Sequence, residues 1–382
     1  MHYSIDDLPG VMDKLHSRLR IAVTYSGDKN DPDTVIYKTH NPRSWKSYQK
    51  VAEGIQATLK EIGFKHVFTM PENSSLLENL KKENIHLVWI NSAGVQGYSP
   101  MSHTPAMLEM IGMPYVGHHP VNAAKLDNKY AFKLECQGCG IPTAAFMNWN
   151  GERGRFMPRV NKIFKLSFGS YEGPFVVKPV CGRASLLIYV ADTIDELPDA
   201  VEAVYSQTLD TVLIEKYLGG REFCIAVCGN VHLRNGQFSL SRKPFAFSPI
   251  ERVLEEDERI FTSMDKKPIT GARAKLMDNP ADAGIIARLK ELGETVYLDL
   301  ALESLIRLDI RADEGGDLMV LETNPKPDLK KPSETVTNLI CIGLAEHNMD
   351  YKDLIGLVMA NRLHQLFTHK MHLIGHITEL IS

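Results

Sequence analysis

The feature that most constrains the fold is a pair of patterned segments, residues 305–311 and 318–324, joined by a glycine-containing connection at 313–317. In the first segment, the charged residues Arg307, Asp309 and Arg311 alternate with the aliphatic residues Ile306, Leu308 and Ile310, which is the period of a strand. The Asp-Glu-Gly-Gly connection is typical of a hairpin turn. Folding the segments about Gly315 predicts that Asp309 lies opposite Glu322, with Asn324 on the same face as Glu322.

This predicted hairpin gathers oxygen-bearing side chains beside Arg307. Neighbouring carboxylates repel each other unless a positive charge lies between them, and oxygen-only ligands favour Mg²⁺ over Zn²⁺. Asp309, Glu322 and Asn324 are therefore the candidate metal ligands. The alternative interpretation is an edge hairpin whose charged residues face solvent, and the sequence alone leaves both open.

Size and charge limit the classes of partner that we expect. A chain of 382 residues can form two or three domains. Its net charge of −4 argues against a nucleic-acid partner, and no apolar run approaches the ~20 residues that span a bilayer. Residues 1–20 contain no apolar signal core, and six cysteines do not indicate a disulfide framework. We therefore expect a cytoplasmic protein without nucleic-acid or membrane partners.

The first third of the chain alternates strands with helices. Such alternation predicts a parallel sheet with helices on both faces, whose ligands bind at the carboxyl ends of the strands. The predicted strands are 20–25, 66–70, 85–90 and 113–116, and the predicted helices are 47–62, 75–83 and 104–110, the last capped by Thr104.

The remaining two thirds mix both element types. We predict strands at 175–178, 185–190, 211–215 and 221–228, and helices at 127–138, 193–206, 283–298 and, as an amphipathic tail, 351–380. Residues 248–282 are charged, contain proline and show little periodicity, which predicts a mobile loop or lid.

Two stretches indicate a phosphate and nucleotide site. Lys178 ends an apolar strand before a loop with Gly and Ser, so it could hold phosphate oxygens while loop amides bind the rest. The alternative is a surface lysine at a strand end. Between Glu215 and Glu222 the backbone is free to bond an adenine edge, and Glu222 could accept from ribose hydroxyls; the alternative is a hairpin with two exposed glutamates.

These motifs, in this order, resemble the ATP-grasp fold and, within it, the D-alanine–D-alanine ligase group. The motifs that carry the resemblance, over roughly residues 20 to 345, are Tyr115–Gly117 with Asp127–Lys129, Gly140–Pro142, Phe175–Pro179, Glu215–Glu222, Arg307–Asp309 and Glu322–Asn324. The resemblance implies an α/β protein, α+β in parts, of three domains. These are an N-terminal parallel-sheet domain (1–124), a small central lid subdomain (125–217) and a C-terminal ATP-grasp domain (218–382) with an antiparallel sheet, the Mg²⁺ site and a helical tail.

The resemblance also implies roles for individual residues. The implied phosphate ligands are Lys129, Lys178 and, in the altered loop 182–185, Ser185. The implied nucleoside contacts are Glu215 beside adenine, Lys216 and Leu218 at the hinge, and Glu222 at the ribose. Arg307 is implied to stabilise the reaction centre, Lys266 or Lys267 to be the lid lysine, and Asp309, Glu322 and Asn324 to bind Mg²⁺, for which Mn²⁺ can substitute.

The implied activity is an ADP-forming ligase that phosphorylates an acceptor oxygen, a carboxylate or a ring enol or ketone, and then replaces phosphate with an amino-acid amine. The implied assembly is a homodimer through the N-terminal sheet domain. Two alternatives stay open, a true D-alanine–D-alanine or dipeptide ligase and a catalytically silent ATP-binding regulatory or scaffold protein.

The chain departs from the family's pattern where substrates are chosen. The loop 91–97, with the candidate substrate contacts Asn91, Gly94 and Gln96, has neither the histidine nor the acids of the D-alanine enzymes. The stretch 325–333 is also changed, and it places Lys330, Lys331 and Ser333 where a substrate carboxylate is held. We therefore predict an acceptor other than D-alanine. The pattern is also similar to ligases that attach an amino acid to mycosporine-glycine.

Overall fold

The computed structural model describes residues 3–28, 30–31, 33, 46–182, 186–234, 236–261, 267, 269–333 and 337–382. Its element types and its mixture of parallel and antiparallel sheets confirm the predicted fold class. Ser185 and Lys266, which the sequence analysis named, lie outside the described residues.

The N-terminal part is a parallel sheet, as predicted, and its strand order is β2-β1-β3-β4. Its strands are β1 (Arg20–Tyr25), β2 (His66–Pro71), β3 (Leu87–Trp89) and β4 (Tyr115–Val116), and its helices are α1 (Leu8–His16), α2 (Gln49–Ile62), α3 (Leu76–Lys82), α4 (His103–Met110) and α5 (Pro120–Asp127). The predicted cap at Thr104 is wrong, because a 3₁₀ turn at Pro100–Ser102 runs directly into α4. Helix α5 was not predicted.

The central part is an antiparallel sheet with strand order β5-β8-β6-β7. It comprises α6 (Lys129–Gly138), β5 (Phe146–Trp149), α7 (Lys162–Phe168), β6 (Phe175–Pro179), β7 (Tyr189–Ala191), α8 (Leu197–Thr208) and β8 (Val212–Lys216). An aromatic cluster fills its core. The ring centroid of Phe164 lies 6.0 Å from that of Phe156 and 5.6 Å from that of Phe175. The strand predicted at 185–190 is wrong at residues 186–188, which lie in a turn and its exit, and the strand begins at Tyr189.

The C-terminal part is an antiparallel sheet with strand order β14-β13-β9-β15-β16, with β12 beside β9. Its elements, with the separate hairpin β10–β11, are β9 (Glu222–Cys228), β10 (Val231–Arg234), β11 (Gln237–Leu240), β12 (Phe245–Ala246), β13 (Ile250–Arg252), β14 (Ala274–Leu276), α9 (Ala283–Asp299), β15 (Ile306–Ala312) and β16 (Leu318–Asn324). The prediction of a loop throughout 248–282 is wrong at β13 and β14. Each of these strands has three residues, which is too short to show a period, and their partners are distant in sequence.

The predicted hairpin is confirmed. In the β15–β16 pair, Asp309 lies opposite Glu322 and Arg307 opposite Asn324, and the register shifts after Asp309. The oxygen-bearing side chains of the sequence analysis therefore lie on neighbouring strand positions at one end of the pair.

The tail is helical but not amphipathic, which corrects the prediction. Helix α10 (Tyr351–His369) is buried on nearly every side from Leu354 to Leu363, and it is followed by α11 (Gly375–Ile381). Its core joins residues of the N-terminal sheet, such as Ile21 and Leu87, to residues of the C-terminal sheet, such as Cys228. Among the described helices, none is long and apolar enough to cross a membrane.

Candidate active site

A row of alternating charges crosses the buried face of the C-terminal sheet. Its members, which we call the arginine–carboxylate row, are in order Arg311, Glu222, Arg252, Asp309 and Arg307. Strand register creates the row, because Glu222 on β9 lies opposite both Arg252 on β13 and Arg311 on β15. Arg252 bridges the two carboxylates, with Nη1 3.0 Å from Glu222 Oε1 and Nη2 2.5 Å from Asp309 Oδ1.

Asp309 is the most strongly held carboxylate of the row. Arg307 donates from Nε to Oδ1 at 2.9 Å and from Nη2 to Oδ2 at 3.1 Å. Burial by itself raises the pKa of Asp309, but Arg252 and Arg307 outweigh burial and lower the pKa to about 2. Asp309 is therefore ionised at neutral pH, as a ligand for a hard cation must be.

A second buried group of charges lies on the central sheet. Glu215, on β8, is 2.7 Å from Lys133 Nζ and 2.5 Å from Lys178 Nζ. Burial raises the pKa of Glu215, and the two lysines outweigh it and lower the pKa to about 2. Sequence analysis missed Lys133, although it follows Lys129 by four residues on α6 and therefore shares its face.

Lys129 connects the central sheet to the hairpin. Its Nζ donates to Gly182 O at 2.9 Å, at the start of the predicted phosphate loop, and lies 3.4 Å from Glu322 Oε2. Lys178 also interacts electrostatically with Glu322 and Glu222. The two groups of charges therefore form one cluster between the sheets.

This cluster carries excess positive charge. Counted by formal charge, six cationic side chains face four carboxylates, an excess of two. The members are Lys129, Lys133, Lys178, Arg252, Arg307 and Arg311 against Glu215, Glu222, Asp309 and Glu322. Buried charge without a counter-ion is costly, so the cluster suits an anionic ligand such as a triphosphate.

The segment between β8 and β9 is fixed by Tyr217. The guanidinium carbons of Arg259 and Arg311 each lie 5.0 Å from its ring centroid. Its hydroxyl accepts from Arg311 Nη2 at 3.1 Å and donates to Arg259 O at 3.2 Å. The predicted hinge contacts flank it, with Leu218 buried and Lys216 Nζ 5.1 Å from another tyrosine ring.

The described lid lysine is engaged within its own loop. Lys267 Nζ lies 2.6 Å from Glu255 Oε2 and 3.2 Å from Glu258 Oε1. Arg273 shares Glu258, at 2.9 Å. Lys267 therefore faces its own loop and not the cluster, and its predicted catalytic role would require these ion pairs to open.

With this geometry described, comparison with known proteins assigns the family. Residues 136–359, more than half of the chain, match the family model described as D-ala D-ala ligase C-terminus. The chain belongs to this family. ATP-grasp ligases of this kind are ADP-forming enzymes that use ATP and Mg²⁺ or Mn²⁺, and membership favours an enzyme over a silent ATP-binding shell.

Individual relatives have low sequence identity to this chain, but the matches extend over most of both sequences. An uncharacterized protein of Sinorhizobium fredii is 24% identical over 79% of this chain and 85% of its own length. A D-alanine–D-alanine ligase of Marinomonas is 24% identical over 89% and 95%. Among solved structures, the fold is similar to D-alanine–D-alanine ligase from Bacillus anthracis with ATP (TM-score 0.64, 18% identity, 91% of this chain and 98% of that chain). It is also similar to VanG D-Ala:D-Ser ligase from Enterococcus faecalis (TM-score 0.62, 17% identity, 90% of this chain and 99% of that chain).

The oxygen donors on the hairpin fit the metal that D-Ala-D-Ala ligases use. Among the residues with described positions, no three or more His, Cys, Asp or Glu side chains are grouped to hold a metal ion. The predicted ligand set consists of the carboxylates of Asp309 and Glu322 and the amide of Asn324. With only two carboxylates, it is not a group of that kind. Asp309 and Glu322 are held here by cations, whose charge Mg²⁺ could replace, and all donors are hard oxygens.

The predicted substrate residues fall into two groups. Asn91 is buried just after β3, and its side chain donates to Tyr48 O at 3.3 Å. Gly94, which has a positive φ of 79°, and Gln96 follow in the same loop. Lys330 and Ser333 are exposed, and Lys331 pairs with Glu61 on α2 at 3.3 Å. Binding of a substrate carboxylate by Lys330, Lys331 and Ser333 stays a prediction.

Sequence analysis also missed Lys326. Its Nζ donates to Asn91 O at 3.0 Å and thereby joins the end of β16 to the loop after β3. The signal was its position two residues after Asn324, within the stretch that departs from the D-Ala-D-Ala ligase pattern.

Proposed function

We propose that the protein is an ATP- and Mg²⁺-dependent carbon–nitrogen ligase that joins an amino-acid amine to an acceptor other than D-alanine. The observation that supports this proposal most strongly is the largely buried cluster with two excess formal positive charges, which includes the Asp309–Glu322 pair. The positive charge of this cluster would balance the net negative charge of a magnesium-bound triphosphate.

In this proposal, the chain's own side chains bind and orient ATP. Lys129 and Lys178 hold phosphate oxygens, Glu222 accepts from the ribose, and the segment around Leu218 holds adenine. When bound to Asp309, Glu322 and Asn324, Mg²⁺ supplies positive charge that polarises the phosphoryl oxygens. Arg307 and Arg252 stabilise negative charge that develops beside Asp309.

The proposed reaction has two steps. An acceptor oxygen forms a bond to the γ-phosphorus while the bond to the β,γ-bridging oxygen breaks, and ADP leaves. The amine nitrogen then bonds to the activated carbon, loses a proton, and displaces phosphate. The activated acceptor must be kept from water, which the loop after β13 could exclude.

Two observations bear on the acceptor. The loop 91–97 and the stretch 325–333 differ from the D-alanine enzymes, which supports a different acceptor, and mycosporine-glycine is our candidate. The named relatives, among them the D-alanine–D-alanine ligase of Marinomonas, support the alternative of a D-alanine or dipeptide ligase.

A screen for ADP release tests the proposal. Amino acids as amines are combined with D-alanine, dipeptides, mycosporine-glycine and simple cyclohexenones as acceptors, with ATP and Mg²⁺. We expect release that needs both a specific amine and a specific acceptor. No release with any pair would contradict the proposal, and release with D-alanine alone would favour the alternative. The predicted homodimer is tested separately by light scattering.

A further inference from the structure

Exposed apolar side chains are concentrated on one segment of the central part. Of the twelve large apolar side chains that are exposed among the described residues, four lie within residues 157–166, and the other eight lie singly along the chain. The four, which we call the apolar ridge, are Met157 (61% exposed), Val160 (70%), Ile163 (51%) and Leu166 (85%). Single exposed apolar side chains are normal, whereas a group of neighbouring ones indicates an interaction surface.

Local geometry places the members of the apolar ridge in one row. They are three residues apart, first through the 3₁₀ turn Pro158–Val160 and then through α7. Side chains three residues apart lie on the same side of such helices. The other side of the segment is buried in the aromatic core of the central sheet, through Phe156, Phe164 and Phe168. The apolar ridge therefore takes no part in filling that core.

The apolar ridge and the charged cluster belong to opposite faces of the central sheet. On β6, Val177 lies in the aromatic core that α7 covers, whereas the next residue, Lys178, pairs with Glu215 in the cluster. Successive side chains of a strand point to opposite faces of a sheet. A partner on the apolar ridge would therefore leave the proposed nucleotide site accessible.

The segment that carries the apolar ridge is basic. Residues 153–165 contain five arginines and lysines and no acidic residue, in a chain whose net charge is −4. Two of the arginines are paired with acidic side chains from outside the segment. The pairs are Arg155 with Asp199 at 2.6 Å, and Arg159 with Asp195 at 2.8 Å and with Glu172 at 3.9 Å.

Lys162 and Lys165 supply the charge that these pairs do not neutralise. Both are exposed, and neither has an ion-pair partner among the described residues. They alternate along the segment with Val160, Ile163 and Leu166. Lysine side chains can extend past neighbouring apolar groups and place their ammonium groups in a polar layer. An exposed aliphatic row with lysines beside it is typical of a segment that lies on an anionic lipid surface.

A second copy of the chain fits the apolar ridge less well. If two copies met ridge to ridge about a two-fold axis, Lys162 and Lys165 of both copies would be brought together, and like charges across an interface repel. An anionic bilayer instead attracts these lysines, and its acyl region accepts the projecting aliphatic side chains without a matching groove.

We propose that the apolar ridge, together with Lys162 and Lys165, docks the central part reversibly onto an anionic lipid bilayer. A surface contact of this kind needs no spanning helix, and the described helices contain none. The expectation of no membrane partner considered spanning and signal segments only, and this proposal replaces it. The proposal does not depend on the ligase function.

Sedimentation with lipid vesicles tests the proposal. The full chain is mixed with vesicles of phosphatidylcholine alone and with vesicles of phosphatidylcholine and phosphatidylglycerol. We expect binding to the anionic vesicles to exceed binding to the neutral ones and to weaken at high salt, because salt screens the attraction between exposed charges. Absence of binding to the anionic vesicles, or equal binding to both kinds, overturns the proposal.

Matched variants locate the contact. I163S/L166S shortens two side chains of the apolar ridge, and its control is L298S/L373S, which changes two leucines that are exposed elsewhere. K162E/K165E reverses two charges beside the ridge, and its control is K81E/K82E on α3, where both lysines are exposed. We expect each ridge variant to lower the vesicle partition coefficient about 10- to 100-fold and each control to change it less than about threefold.

The remaining outcomes separate this proposal from its alternatives. An equal loss of vesicle binding in a ridge variant and its control overturns it. So does a ridge variant that changes the oligomeric state without lipid and keeps its vesicle binding, which would assign the ridge to self-association. Because the ridge lies away from the charged cluster, affinity for an ATP analogue should be the same in all variants, and the screen for ADP release tests the ligase function independently.

Discussion

Arg252 places Nη2 2.5 Å from Asp309 Oδ1 while its Nη1 lies 3.0 Å from Glu222 Oε1. One guanidinium thus joins the carboxylate that we assign to the metal and the carboxylate that we assign to the ribose. A cation that binds Asp309 must share this carboxylate with Arg252 or displace the guanidinium. Arg252 therefore compensates the charge of Asp309 before the nucleotide binds.

Replacing Arg252 tests this relationship. R252M leaves two buried carboxylates short of a partner, so we expect a loss of about 3–5 kcal/mol in unfolding free energy. Mg²⁺ should then raise the melting temperature of R252M more than that of wild type, because it supplies the missing charge. Thermal melts with and without Mg²⁺ measure both effects. The control is R288M, whose exposed pair with Asp317 at 3.7 Å should matter by less than about 1 kcal/mol; equal behaviour of the two variants would contradict the assignment.

The candidate metal ligands make a separate prediction. D309N and E322Q should each weaken the Mg²⁺-dependent part of ATP binding and lower ADP release by about 100-fold or more, because an amide oxygen is a poorer ligand for a hard cation than a carboxylate. Calorimetry of the ATP analogue across a Mg²⁺ series measures the binding. D317N, in the turn of the same hairpin, is the matched control. Unaltered Mg²⁺ demand in both D309N and E322Q would refute the assignment.

Acid stability should depend on Glu215. Its pKa is lowered from 4.5 to about 2, so its contribution is fully present above pH 4.5 and is lost as the pH falls towards 2. This shift corresponds to about 3 kcal/mol. E215Q should therefore be less stable than wild type at pH 7, and the difference should shrink between pH 5 and pH 3. Melting curves over this range measure it, with E202Q, exposed on α8, as control; a constant difference would show that the charge of Glu215 is not responsible.

Two helical glycines should respond in opposite directions to alanine. A Cβ at Gly356 on α10 would meet Ile62 Cδ1 at 3.7 Å, an ordinary contact, so G356A should stabilise by about 0.5–1 kcal/mol. A Cβ at Gly293 on α9 would lie 3.0 Å from Val227 Cγ2, so G293A should destabilise by about 1–3 kcal/mol. Denaturant unfolding measures both, and a shared sign would disprove the packing described.

The elements that sequence predicts best here are those with a clear period or spacing. Alternation in 305–311 predicted β15 and, with the glycine turn, the pairing of Asp309 with Glu322. The strand–helix alternation before residue 117 predicted the parallel sheet. In both cases the information is local, because side-chain periodicity reports directly on which face is buried.

The contacts that sequence did not predict depend on partners distant in the chain. Arg252 lies in a three-residue strand, and its place in the arginine–carboxylate row follows from pairing with β9, 30 residues away. Lys326 and Lys331 are both lysines of the same stretch, and the sequence does not distinguish them. In the fold, Lys326 contacts Asn91 O and Lys331 pairs with Glu61 on α2. The prediction of an amphipathic tail also failed, because α10 is packed on nearly every side, against α2, β4 and β10 among others, and no solvent-facing side selects polar residues.

The burial of α10 has a mechanical consequence. One helix belongs to the core of both the N-terminal and the C-terminal sheet, so those two parts resist hinge motion against each other. The central sheet has a separate aromatic core. We therefore expect opening and closing around ATP to be a swing of the central sheet, with Tyr217 near the pivot, over a base that moves as one piece.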